Sequence, residues 1–167
     1  MNTVTDLTPT PEHVRLDSRA ALDAAIDRVL PLARRRVAIF ANTFGAEWNQ
    51  DVRAEALRRF CLASRRNELR IVLHDPQPLY RHCPRLLNLL RQFSHVLVIH
   101  ETHLEAKNVY DPFVLVDDRH YVHRFHFNGA NGLLGLEDPH GAKSLRDRFD
   151  ELWAASDPAV PATTLGL

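Results

Sequence analysis

The stretch DPFVLVDDRHYVHRFHFNGANG, residues 111–132, decides how this chain is read. Phe113-Val114-Leu115-Val116 is a short apolar run, and Tyr121 to Phe127 is a second run rich in aromatic residues. Such residues suit a pleated, half-buried surface. The tight turn Asp117-Asp118-Arg119 joins the two runs and is too short for a crossover, so they fold back as an antiparallel hairpin. Gly129-Ala130-Asn131-Gly132 then begins a loop.

Upstream of this hairpin the pattern differs. Val37 to Ala41, Leu69 to His74 and His95 to His100 are short apolar runs of the kind that form buried strands. Helical spacing fills the gaps between them. Asp17 or Ser18 caps a first helix with Leu22, Ile26, Val29, Leu30 and Ala33 in register, which Pro31 kinks or ends. A second helix runs from Asp51 to about Ser64, with Val52, Ala56, Leu57, Phe60 and Cys61 facing inward. Pro84 opens a third, and Asp138-Pro139 caps and opens a last one bearing Leu145, Phe149, Leu152 and Trp153. Strand, helix, strand, helix, strand implies parallel pairing through right-handed crossovers. The expected fold is therefore α/β, a mixed and mainly parallel sheet flanked by helices with a C-terminal antiparallel hairpin. Residues 1–16, with Pro9 and Pro11, read as a flexible leader, 17–155 as the domain and 156–167 as a loose tail.

Composition sets limits on function. With 167 residues, the chain has the size of one ordinary domain. No run approaches the roughly 20 apolar residues of a membrane span, and the polar N-terminus lacks the apolar stretch of a signal peptide. Two cysteines make no disulfide framework, so a cytoplasmic protein is expected. Lys and Arg number 21 and so do Asp and Glu, giving no global field for a polyanion, and nucleic acid is not expected as a partner. The charge is nevertheless polarised: nine Arg face four acids between residues 51 and 91, and ten acids face six bases between 101 and 151.

Chemistry-bearing motifs are few. The carboxyl ends of the parallel strands, Ala41-Asn42-Thr43, His74-Asp75 and His100-Glu101, share the edge where ligands gather in open α/β sheets. Asn42 and His74 are candidate ligand contacts on that ground. His120, His123 and His126 are close in sequence, but in a strand His120 and His126 lie about 20 Å apart, too far to share one ion. No metal site and no cofactor are expected. No serine has an elbow context, and neither a Walker phosphate loop nor a G-x-G-x-x-G fingerprint occurs. Cys61 reads as core, whereas Cys83 beside His82 and Arg85 is a candidate for a lowered pKa.

The 111–132 segment resembles the core hairpin of the phospholipase D superfamily, whose enzymes carry H-x-K-x4-D followed by G-S-x-N. In the register adopted, Asp111 stands at that family's His, Phe113 at its Lys, Asp118 at its Asp, His126 at its Ser and Asn128 at its Asn. The chain is also similar to single-lobe bacterial domains, at times attached to acetyltransferases, in which this motif is degraded. What the resemblance implies is a lobe without the attacking imidazole and without the phosphate-holding amine, expected to act as a binding, regulatory or assembly module. An acetyltransferase-associated partner and a phosphate-like anion are the implied contacts. Lobes of this superfamily pair, so a homodimer is implied, with Phe113, Tyr121 and Phe125 as contact candidates. Arg124, His126, Asn128 and His120 share one strand face and are the candidate anion contacts, unless Arg124 pairs with Asp111, Asp117 or Asp118 and only stiffens the hairpin. The alternative is a phosphodiesterase or nuclease in which His126 has become the nucleophile, assisted by Arg124 and Asn128.

Overall fold

The computed structural model describes residues 8–159, and the structural statements below concern these. Eight strands form one open sheet: β1 (Glu12–Leu16), β2 (Arg36–Ala41), β3 (Glu68–Leu73), β4 (Leu97–Thr102), β5 (Phe113–Val116), β6 (His120–Arg124), β7 (Gly132–Leu136) and β8 (Ser156–Pro158). Their spatial order is β1-β7-β6-β5-β2-β3-β4-β8. The helices are α1 (Arg19–Val29), α2 (Asp51–Ala63), α3 (Gln77–His82), α4 (Pro84–Gln92) and α5 (Pro139–Ala154). No helix among the described residues is long and apolar enough to cross a membrane.

The sheet is mixed, but its parallel part is confined to the β2–β3–β4 trio, and the other five pairings are antiparallel. The expectation of a mainly parallel sheet gives way because three short strands outside the sequence pattern join its edges. β1 falls inside the stretch read as a leader, and β8 inside the stretch read as a tail. Both corrections share one cause. These strands are held by main-chain pairing, β1 along β7 and β8 along β4, rather than by an apolar periodicity of their own. Residues 1–7 and 160–167, the rest of those two stretches, lie outside the described residues.

The third addition is β7, Gly132-Leu133-Leu134-Gly135-Leu136, at the point read as a loop. It has no β-branched residue, and two glycines argue against a strand by propensity. Packing overrides this. Gly135 lies opposite Tyr121 on β6, and a Cβ there would run into the Tyr121 ring. Gly135→Ala is expected to cost about 1–3 kcal/mol of stability, the usual range for overpacking. Urea denaturation at neutral pH checks this.

Helices cover both faces. Ser18 accepts the Ala21 amide at 3.0 Å and caps α1, whose apolar side carries Leu22, Ala25 and Val29. The helix ends at Val29, and Leu30–Leu32 tighten into a 3-10 turn around Pro31. α1, α2, α3 and α4 pack on one face of the sheet against residues such as Ile39, Ile71, Ile99, Val114 and Val122. α5 covers the opposite face with Ala142, Leu145, Phe149 and Leu152 against Phe40, Phe113, Leu115 and Tyr121. Phe113 and Tyr121 are thus core residues, 2% and 5% exposed, and cannot form the expected dimer contact; of the three candidates only Phe125 is exposed. On α2, Val52 points to solvent and Arg53 takes the inner position instead.

The β5–β6 hairpin forms as read. Its two central residues, Asp117 and Asp118, both have positive φ, 52° and 54°, and the Arg119 amide closes the turn on the Val116 carbonyl. This is the primed turn whose twist matches paired strands, and Asp tolerates it better than most side chains. The Asp117 carboxylate also accepts the backbone amides of Arg34, Arg35 and Arg36 at 2.8–2.9 Å, fastening the turn to the entrance of β2.

Candidate functional site

A cavity of about 220 Å³ opens on the α1–α2 face of the sheet, near the carboxyl end of β2. One wall is aliphatic: Leu22 and Ile26 from α1, Ile39 from β2, Val114 from β5 and Val122 from β6. The other surfaces carry charge, namely Arg19 and Asp23 from α1, Glu47 from the turn after β2, Arg53 from α2 and Arg124 from the end of β6.

Arg53 is 1% exposed, which is rare for a guanidinium and requires partners. Its Nε donates to Asp27 Oδ1 at 2.9 Å, and its Nη2 reaches the Asp23 carbonyl and Oδ1, both at 3.3 Å. Its face lies 4.6 Å from the Trp48 ring centroid, a cation–π contact, and Trp48 stacks in turn on Phe44 at 4.2 Å. Nη1 is buried and has no partner. Arg124 repeats the theme: Nε donates to the Gly129 carbonyl at 2.7 Å, and buried Nη2 has no partner. Burial holds the Arg124 pKa below its ordinary value, and the neighbouring Arg19 charge lowers it further. Both arginines line one cavity, and each carries a buried guanidinium nitrogen without a partner. Leaving a buried donor unpaired typically costs about 1–3 kcal/mol, and such nitrogens suit an anion that can accept from both.

Of the residues nominated from sequence, Arg124 and Asn42 meet at this cavity. Arg124 does not pair with Asp111, Asp117 or Asp118, so the hairpin-stiffening role is corrected: those acids are engaged elsewhere. Asp111 accepts from His123 at 2.8 Å and from Arg148 of α5 at 2.6 Å. Asp118 sits between Arg36 and Arg146, each at 3.2 Å. Phe113 borders the cavity, but its ring packs against Phe40 and Phe149. His126 and Asn128 are exposed and off the cavity, because the chain leaves the sheet after Arg124. The Gly129 amide turns back onto the His126 carbonyl, and the His126 ring stacks on Phe127 at 4.8 Å. The strand thus does not stay extended through Asn128, and the shared face expected for these candidates ends at Arg124.

Two further candidates are buried structural histidines. His74 Nε2 must donate to the Val109 carbonyl at 2.7 Å, so Nδ1 accepts from the Thr102 hydroxyl at 2.7 Å. His120 Nδ1 accepts the Glu137 amide at 3.0 Å. Burial lowers the pKa of both, which favours the neutral ring. Cys83, a candidate for a lowered pKa, is instead fully buried, and burial pushes its thiol up to about 11.

Strand alternation places Pro112 and Val114 along the cavity. Counting the H-x-K-x4-D spacing back from the turn residue Asp117 gives Tyr110 and Pro112, where counting from Asp118 gives Asp111 and Phe113. Neither register supplies an imidazole and an ammonium. Arg53, Arg19 and Trp48 went unnoticed in the sequence. One signal was present: Arg53 precedes Leu57 by four residues and Phe60 by seven, so it lies on the helix's apolar stripe.

This architecture is similar to that of several solved structures. Nuc, a phospholipase D family member from Salmonella typhimurium, superposes with a TM-score of 0.61 at 16% identity, over 91% of this chain and all of that one. NucT from Helicobacter pylori gives 0.59 at 14% identity, over 90% of this chain and all of that one. Phosphatidylserine synthase from Haemophilus influenzae gives 0.62 at 15% identity, over 94% of this chain but 41% of that one. The fold is phospholipase D-like. No curated protein matches the sequence. By the match over residues 18–164, the chain belongs to the family described as a domain of unknown function, DUF7931.

Proposed function

We propose that this phospholipase D-like domain binds an anion rather than cleaving a phosphodiester. The observation that supports the reading is that Arg53 and Arg124, each with a buried, unpartnered guanidinium nitrogen, line one cavity. A guanidinium does not give up its proton near neutral pH, so these groups can hold charge but cannot serve as acid or base.

Covalent phosphoryl transfer by the ancestral route needs an attacking imidazole and a second group to protonate the leaving oxygen. The cavity is lined by no His, Cys, Ser, Lys or Tyr; Thr43 is its one hydroxyl. Its carboxylates, Asp23 and Glu47, would repel a phosphodiester on approach. Loss of a single electrostatic donor typically lowers rate by about 10²–10³, and here the nucleophile is missing as well. The exposed His126 does not line the cavity, which leaves the relocated-nucleophile alternative without support.

Purified protein is expected to hydrolyse bis-p-nitrophenyl phosphate only at the buffer rate, with or without divalent metal. Small anions should raise its melting temperature, and Arg124→Gln should abolish that rise. Turnover that persists through purification and disappears in Arg124→Gln would overturn the proposal.

A further inference from the structure

We infer that the anion held by Arg53 and Arg124 is a small amphipathic carboxylic acid: one carboxylate with a short aliphatic or aromatic body. The inference rests on the anion-binding reading above and names the ligand class.

Charge comes first. Arg19, Arg53 and Arg124 contribute three positive charges at the cavity, and Asp23 and Glu47 two negative ones. Asp27, paired with Arg53, adds a third carboxylate, so no positive charge is in surplus and a monoanion brings the least uncompensated charge. A phosphate monoester, carrying roughly −1.5 to −2 near neutral pH, would leave excess negative charge beside two carboxylates.

Donor count is the second argument. Arg53 Nε and Nη2 and Arg124 Nε are already engaged, whereas Arg53 Nη1 and Arg124 Nη2 have no partner. One such nitrogen on each of two side chains can serve the two oxygens of a carboxylate. The aliphatic wall offers no donor to the further anionic oxygen of a phosphate monoester.

That wall is the third. Leu22, Ile39, Val114 and Val122 are core residues, each at most 5% exposed, and with partly buried Ile26 they give the cavity an apolar side continuous with the main core. The polar arms of a nucleotide or glycerol phosphodiester would lose their hydration against it, whereas an alkyl or phenyl group gains by about the transfer free energy of each buried methylene. At about 220 Å³ the cavity is smaller than the roughly 300–1,000 Å³ typical of drug-sized ligands, so the body is short.

Calorimetric titration of the full chain with acetate, butyrate, hexanoate, benzoate, inorganic phosphate and dimethyl phosphate tests this. Each added methylene should tighten binding about four-fold, so hexanoate, with four more than acetate, should exceed it by about 200-fold. Arg124→Gln should weaken every carboxylate at least about ten-fold, the loss of a charge-assisted hydrogen bond. Ile26→Trp, which fills the aliphatic side from a partly exposed helix position, should remove the chain-length gain and leave acetate binding in place. If phosphate or dimethyl phosphate binds through Arg124 and carboxylates show no chain-length gain, this inference falls while the anion-binding reading stands. If no anion binds, both fall. A chain-length gain indifferent to both substitutions would be adsorption elsewhere and would also overturn the inference.

Discussion

Replacing Arg53 with alanine is expected to lower the unfolding free energy by about 3–5 kcal/mol, the range for breaking a buried ion pair. That is a large share of the 5–15 kcal/mol that holds most domains folded. The guanidinium is 1% exposed and ties α2 to α1 through Asp27 and Asp23 while covering Trp48. Removing it leaves the Asp27 carboxylate, 28% exposed, without its cation, and opens space beneath Trp48. Arg53→Lys should recover little, since one ammonium cannot meet both acids in the geometry of a planar fork. Arg53→Met keeps most of the packed stem and separates the ionic contribution from packing. Urea denaturation of the three variants measures the series. A loss below about 1 kcal/mol for the alanine variant would mean that the pair behaves as a solvated surface bridge.

The second large effect concerns Asp138, which joins three elements that are remote in sequence. Its carboxylate accepts from His13 Nε2 on β1 at 2.7 Å, from the Tyr121 hydroxyl on β6 at 2.7 Å and from the Gly141 amide in the first turn of α5 at 2.9 Å. The His13 hydrogen bond is the leading cause, with the Gly141 amide and Tyr121 next, of a carboxyl pKa lowered from 3.8 to about 2. A carboxylate whose pKa is lower folded than unfolded stabilises the fold fully above the unfolded value. The contribution, about 2 kcal/mol here, is therefore present above pH 4 and is lost as pH falls through about 2. Asp138→Asn should flatten this limb of the acid denaturation curve. Asp138→Ala should cost about 2–4 kcal/mol at neutral pH, because the α5 cap is lost and the Tyr121 hydroxyl is left buried without an acceptor. An acid limb identical in wild type and Asp138→Asn would show that the three hydrogen bonds do not act on the native state as drawn.

How far the fold can be read without coordinates differs element by element. α1, α2, α5 and the β5–β6 hairpin are legible because each carries its own signal: a Ser cap, an apolar stripe, a Pro at the first turn, an Asp-Asp turn between apolar runs. β7 is illegible because its glycines answer to Tyr121 on the neighbouring strand, a contact that local propensity does not contain. β1 and β8 are illegible for a related reason, since three to five residues with weak alternation become strands only when an open sheet edge offers amides and carbonyls to pair with.

The site shows the same division. Of its charged residues, the hairpin pattern drew attention to Arg124, while Arg53 passed as one more arginine in an arginine-rich helix. The resemblance pointed as well to His126 and Asn128, which an extended strand would align with Arg124 and the actual turn does not.

By itself the sequence determined the α/β class, the hairpin and its turn, and the helix caps, for these depend on residue identity at short spacing. The tertiary structure alone decided the strand order, the three added strands and the meeting of Arg53 with Arg124. The physical reason is distance along the chain. These two side chains are separated by 71 positions, and only the placement of β6 and α1 beside α2 brings them to one cavity.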